Sequence, residues 1–117
     1  MTVFKYALFI TLFSGVSVQA NEGNYVCSGT IDSVSQGKIG TVAIISNDIY
    51  GDNAGRIICS LASERNGVAV ATCQGWLSKL LTAKATGAEL KIRYIDNLTC
   101  ETQYTWNESN TPWTIMD

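Results

Sequence analysis

The sequence predicts a mainly β domain with one α-helix, stapled by two disulfides. Beyond the N-terminal run, a single stretch, Trp76 to Gly87, has a helical period. The remainder is short apolar runs punctuated by Gly, Asn and Asp. Four cysteines stand in a chain of 117 residues that contains no histidine.

Within the helical stretch, Trp76, Leu77, Leu80, Leu81 and Ala85 fall at i, i+1, i+4, i+5 and i+9 and make one apolar stripe. Lys79 and Lys84 lie off that stripe, while Ala83 and Ala85 favour the helix without needing burial. Gly87 supplies the left-handed residue that commonly ends a helix. The period then drops to two: Leu90, Ile92 and Tyr94 alternate with Glu89, Lys91 and Arg93, as in a half-buried strand. Trp76 is expected in the core, and Lys79, Lys84, Lys91 and Arg93 on a solvated face.

Residues 1–20 read as a secretory signal peptide. Lys5 precedes the apolar run from Tyr6 to Val18, and Val18-Gln19-Ala20 presents small residues ahead of a cleavage point between Ala20 and Asn21. The run is short for the ~30 Å of hydrocarbon that a membrane anchor crosses, and no stop-transfer charges follow it. The expected location is secreted or periplasmic, and residues 21–117 form one small domain. Such a domain is marginal on apolar burial alone, and export makes disulfides available to it. Cys27, Cys59, Cys73 and Cys100 lack any Cys-x-x-Cys spacing and have no histidine to join them, so disulfides are expected rather than a metal or cofactor site.

Tyr25 to Ser35, with Cys27, Ile31 and Val34, reads as a first strand. Gln36-Gly37 breaks it, and Ile39 to Ile45 resumes as a second. Asn47-Asp48 and Gly51 to Gly55 are turn chemistry, which places Tyr50 in a surface loop as a contact residue or a lid over the barrel edge. Arg56 to Ala62 and Val68 to Cys73 flank Ser63 to Gly67 as a hairpin. With Arg65-Asn66-Gly67 as a three-residue loop, Cys59 falls opposite Cys73. Opposed residues on antiparallel strands have Cα atoms ~4.5–5.5 Å apart, within disulfide reach. Cys59 therefore pairs with Cys73 and, by elimination, Cys27 with Cys100. Leu98 to Trp106 alternates loosely, Asn107 to Asn110 turns, and Thr111 to Ile115 ends as a short strand that Pro112 confines to an edge or tail. The order strand, strand, hairpin, helix, strand, strand is that of a small, partly open barrel of OB type.

Eight Lys and Arg stand against ten Asp and Glu, with no basic cluster to displace counterions from a phosphate backbone, so nucleic acid is not an expected partner. Without histidine no Ser-His or Cys-His pair exists, and nothing marks a carboxylate pair in a domain with little room for a cleft. No enzyme is expected and no catalytic residue is assigned. Trp106, Asn107, Glu108, Asn110 and Trp113 are the candidate ligand residues. A sugar ring offers an apolar face to an indole and hydroxyls to Asn, Glu and Ser. The alternative is that both tryptophans cover the barrel end.

Leu80-Leu81-Thr82-Ala83-Lys84-Ala85-Thr86-Gly87-Ala88-Glu89-Leu90-Lys91-Ile92 resembles the B subunits of bacterial pentameric toxins, the Shiga type most, in its Leu-Leu, small-Ala and Thr-Gly run leading into an alternating strand. Cys27-Ser28-Gly29-Thr30-Ile31 is similar to the first strand of that family, whose single disulfide joins this cysteine to one after the helix-strand unit, a position that Cys100 fits. Trp106-Asn107-Glu108-Ser109-Asn110-Thr111-Pro112 is similar to the cholera type, where the matching tryptophan and a nearby asparagine form a galactose pocket. Cys59 and Cys73 have no counterpart in either type; subtilase and typhoid-type relatives carry extra cysteines. The resemblance implies a ring-forming homopentamer that binds a cell-surface glycan beside a catalytic A subunit, with the helix lining a central channel. The alternative is a small exported protein-binding module, such as an enzyme inhibitor.

Overall fold

The computed structural model describes residues 23–116, so the expected signal peptide at residues 1–20 lies outside the described residues. Among the described residues, six strands form two three-stranded antiparallel sheets: β1 (Tyr25–Gly29), β5 (Leu90–Tyr94) and β6 (Thr114–Met116) in the order β1-β5-β6, and β2 (Ser33–Gln36), β3 (Thr41–Ile45) and β4 (Arg56–Ser60) in the order β2-β3-β4. Two helices interrupt them among the described residues, a single turn α1 (Asn47–Tyr50) and the long α2 (Val70–Thr86). The domain is thus mainly β with one principal helix and two disulfides, as predicted. No strand is shared between the sheets among the described residues, so they form two open sheets rather than a closed barrel.

The expected first strand is divided in two. Thr30-Ile31-Asp32 carries the chain from one sheet to the other, and α1 holds this bend. Ser46 Oγ donates to Thr30 O at 2.6 Å and accepts from Ile49 N at 3.0 Å, capping the short helix. Asp48 Oδ2 accepts from Thr30 N and Asp32 Oδ2 from Asn47 N, both at 2.9 Å. The bend's polar backbone groups thus find side-chain partners where the sheet ladders stop.

The turn signal at Asn47-Asp48 misplaces Tyr50. The residue is only 1% exposed, because α1 turns it inward: its hydroxyl lies 2.8 Å from that of Tyr94 and its ring lies under the Arg56 guanidinium, 4.5 Å from the ring centroid. Arg56 is itself buried, and Asp52 neutralises it through contacts of 2.6 and 3.2 Å. Burial pushes the Tyr50 hydroxyl up to about 12, and it raises Tyr94 as well.

The helix also differs from its expected form. It starts at Val70, so Val68 to Cys73 is not a strand and the hairpin reduces to a tight turn. Arg65 and Val68 exchange backbone hydrogen bonds across Asn66 and Gly67, both left-handed at φ 50° and 88°. The Cys59–Cys73 disulfide forms nonetheless, between β4 and the first turn of α2, with Cα atoms 5.6 Å apart. The pairing is as expected although the strand register behind it is not. Cys27–Cys100 is the second bridge, with Cα atoms 5.7 Å apart. The buried stripe of α2 is Cys73, Trp76, Leu80 and Ala83, at i, i+3, i+7 and i+10. Leu81 is half exposed and Ala85 exposed, whereas Ala83 is buried. The helix therefore presents its face one residue away from the predicted stripe. Gly87, at φ 73°, ends it by donating to Ala83 O.

The core runs from the helix stripe to Cys27 of β1, Val42 and Ile44 of β3, Ile58 and Cys59 of β4, Leu90, Ile92 and Tyr94 of β5, and Ile115 of β6. The alternation predicted for β5 is present, with Lys91 exposed between buried neighbours. Every residue of β4 is buried, since its free edge is covered. Trp106 N donates to Gly55 O at 2.8 Å, and Ile57 N donates to Ser109 Oγ at 3.0 Å. Leu98 to Trp106, expected to extend loosely, is turns and irregular chain. It lacks a ladder because the chain turns at residues 99–102, where Thr99 and Thr102 bond each other's backbone and side chains. Strand β6 lies at the sheet edge beyond Pro112, as predicted.

Candidate functional site

The candidate residues separate into two places. Trp106, Asn107 and Glu108 form a tight turn against the edge of β4. Glu108 N donates to Thr105 O at 3.2 Å, Ser109 Oγ to Trp106 O at 2.6 Å, and Arg65 Nη2 to Asn107 O at 3.2 Å. Trp106 is left-handed at φ 50°, and its indole rests on Gly55, where a side chain would collide with the ring. Half of Trp106 remains exposed, and Asn107 and Glu108 are exposed beside it.

Asn110 and Trp113 instead line a groove of about 680 Å³. It is lined by the Asn66-Gly67 turn and Val68 just ahead of α2, by Thr72 and Trp76 within α2, and by Ile95, Asp96 and residues 110–113. Trp113 follows Pro112 and is held by its backbone, its N–H donating to Arg93 O at 2.8 Å, while 62% of the residue stays exposed. With its main chain held and its ring exposed, the indole is open to stacking by a ligand. Trp76 was expected in the core. It is 9% exposed and packs there, yet it also contributes to the groove wall.

Asp96, which is not among the residues the sequence singles out, organises the polar groups that line the groove. Its Oδ1 accepts from Tyr25 Oη at 2.5 Å and Leu98 N at 2.8 Å; its Oδ2 accepts from Gln103 Nε2 at 2.9 Å and Asn110 Nδ2 at 3.1 Å. Gln103 Nε2 also donates to Tyr25 Oη. Burial works to raise the Asp96 pKa, but the hydrogen bonds from Tyr25, Gln103, Leu98 and Asn110 outweigh it and hold the carboxyl below its usual value. Tyr25 moves the other way: burial and then the Asp96 hydrogen bond push its phenol well above the usual value. Residues from four separate stretches converge here, which is why no local motif marked the site.

The basic residues of the helix-strand unit form a dispersed surface. Lys79, Lys84 and Lys91 are exposed, Lys79 Nζ donating to Ile115 O at 3.4 Å, and Arg93 Nε donates to Asn24 Oδ1 at 2.9 Å. No described helix is long and apolar enough to cross a membrane. Comparison with known proteins finds no matching family model, curated protein or solved structure.

Proposed function

We propose that this protein is an exported, ring-forming glycan-binding domain of the toxin B-subunit kind, and that the Trp113 groove holds the sugar. The observation that carries the reading is Trp113, 62% exposed in a groove that Asn110 and Asp96 also line. An apolar platform beside fixed amide and carboxylate groups matches the two-sided chemistry of a pyranose ring. Two disulfides support export, since such bonds persist in oxidising compartments. Ring formation draws support from β2 and β6, which end their sheets with no Lys, Arg, Asp, Glu or Pro in either strand to oppose pairing with a neighbouring copy. A catalytic subunit would be a separate chain.

The experiment is a broad glycan array probed with the wild-type protein and with Trp113→Ala, alongside native mass spectrometry. Binding by the wild type, its loss in the variant and a closed oligomer are the expected results. A wild type that binds no glycan would reject the lectin reading. A second reading, a protein-binding module, is favoured by the exposure of Ile39 and Val26, 69% and 45%, away from the groove. Inhibition of a partner enzyme by Trp113→Ala with wild-type potency would support it.

A further inference from the structure

We infer that the surface around Tyr104 and Trp106 is a docking site for a basic, extended segment of a partner protein. None of its residues lines the Trp113 groove, and it does not depend on the glycan reading. Residues 101–106 run beside the loop that leads into β4. Glu101 lies over Gly51, Arg56 Nη2 donates to Gln103 O at 3.1 Å, and Trp106 N donates to Gly55 O at 2.8 Å. Arg56 and Trp106 form a parallel bridge at the end of this track.

The track is open on its outer side. Gln103 is buried and Thr105 is partly covered, whereas Tyr104 and Trp106 are half exposed, so both rings reach solvent. Two exposed aromatic residues on a backbone held by hydrogen bonds are the kind of anchor that protein interfaces use. Charge names the partner. Glu101 and Glu108 bracket the rings along the chain; both are exposed, and neither carboxylate has a hydrogen bond or ion pair among the described residues. The cations beside them are already engaged: Arg56 is buried against Asp52, and Arg65 Nη2 donates to Asn107 O. A lysine or arginine side chain meets both features at once, its cation resting on an aromatic face and against a carboxylate. An anionic lipid or a nucleic acid would meet like charge here. The N–H and carbonyl of Tyr104 make no hydrogen bond among the described residues, which suits an extended partner that pairs through its main chain.

The test is a titration of the isotope-labelled protein, read by amide NMR, with a blocked peptide of alternating arginine and threonine and with its glutamate-threonine counterpart. The arginine peptide should shift the amides of residues 51–55 and 101–108 and the Trp106 indole N–H, and the glutamate peptide should not. Glu101→Gln with Glu108→Gln should weaken binding about tenfold at low salt, and Tyr104→Ala about three- to fivefold with the Tm unchanged. Glu64→Gln with Glu89→Gln removes the same charge from two other exposed positions and should leave the affinity within about twofold. Equal weakening by the two pairs, or shifts spread over all the acidic residues, would mean unspecific attraction of a basic peptide to an acidic protein and would overturn the inference. Shifts at residues 101–108 on raising the protein concentration alone, with no further effect of the peptide, would assign the surface to a second copy. Shifts there with a neutral glycan and none with the arginine peptide would assign it to a sugar.

Discussion

Gly55 and Trp106 occupy one space: a Cβ on Gly55 would collide with Cη2 and Cζ3 of the indole ring. The ring thus seals the start of β4, and the absent side chain lets it approach. Gly55→Ala should destabilise the domain by about 1–3 kcal/mol through overpacking. In a Trp106→Ala background the same change should cost much less, because the clashing ring is gone. Denaturant melts of the two singles and the double measure this coupling. Equal costs in both backgrounds would show that the contact does not limit the site.

The helix face can be checked with two adjacent leucines. Leu80 is fully buried and Leu81 is 50% exposed. Leu80→Ala should cost about 2–5 kcal/mol. Leu81→Ala should cost far less, close to the roughly ±0.5 kcal/mol of surface changes. The reverse order in urea melts would return the helix to the stripe that periodicity alone suggests.

These two leucines also mark where sequence reading loses resolution. Trp76, Leu80, Gly87 and the alternation of Leu90, Ile92 and Tyr94 carry strong local signals, and the helix-strand unit forms where they indicate. The first turns of α2 carry weak ones. Val70, Thr72 and Gly75 are poor helix formers, and Ala69 provides no side-chain cap. The segment therefore resembles a strand, and tertiary contacts including the Cys59–Cys73 bridge hold it as helix. Tyr50 is missed because Asp52 neutralises a buried Arg56 that then covers its ring. Asp96 is missed because its partners are spread from Tyr25 to Asn110. Trp113 was visible as an aromatic beside polar turn residues, but only the fold separates it from Trp106.

The two disulfides should differ in their response to reductant. Cys59 and Cys73 are both fully buried, whereas Cys100 is partly exposed beside a buried Cys27. Thiolate attack needs access to sulfur. Under native conditions, mild reductant followed by alkylation and peptide mapping should label Cys27 and Cys100 first. Labelling of Cys59 and Cys73 should need conditions that open the domain. Simultaneous labelling would mean that reduction proceeds only through global opening.

Stability should fall at both ends of the pH scale. Asp96 has a folded pKa below its usual value, so its contribution is present above the unfolded value of about 3.9 and is lost as pH falls through the folded value. Tyr25, Tyr50 and Tyr94 have raised folded values, so their contribution is complete below the unfolded value of about 10 and declines as pH rises beyond it. Asp96→Asn should therefore be less stable than wild type near neutrality, with the gap closing in acid. A gap of constant size across the acid limb of thermal melts would show that ionisation of Asp96 contributes nothing.

The sharpest contrast is between the two exposed tryptophans. Trp106 rests on Gly55 and anchors the β4 edge, while Trp113 is held by its backbone and leaves 62% of its surface open on the groove. Trp106→Ala should lower the melting temperature, costing roughly 1–2 kcal/mol for a half-buried indole, less than the full truncation cost in a core. It should leave glycan affinity intact in the protein that remains folded. Trp113→Ala should do the opposite, leaving the melting temperature nearly unchanged while binding is lost. Both quantities can be read on the same samples, by thermal melts and by an array run well below the transition. Loss of binding in Trp106→Ala with an unchanged melting temperature would move the proposed sugar site from the groove to the β4 edge, where Asn107 and Glu108 flank the ring.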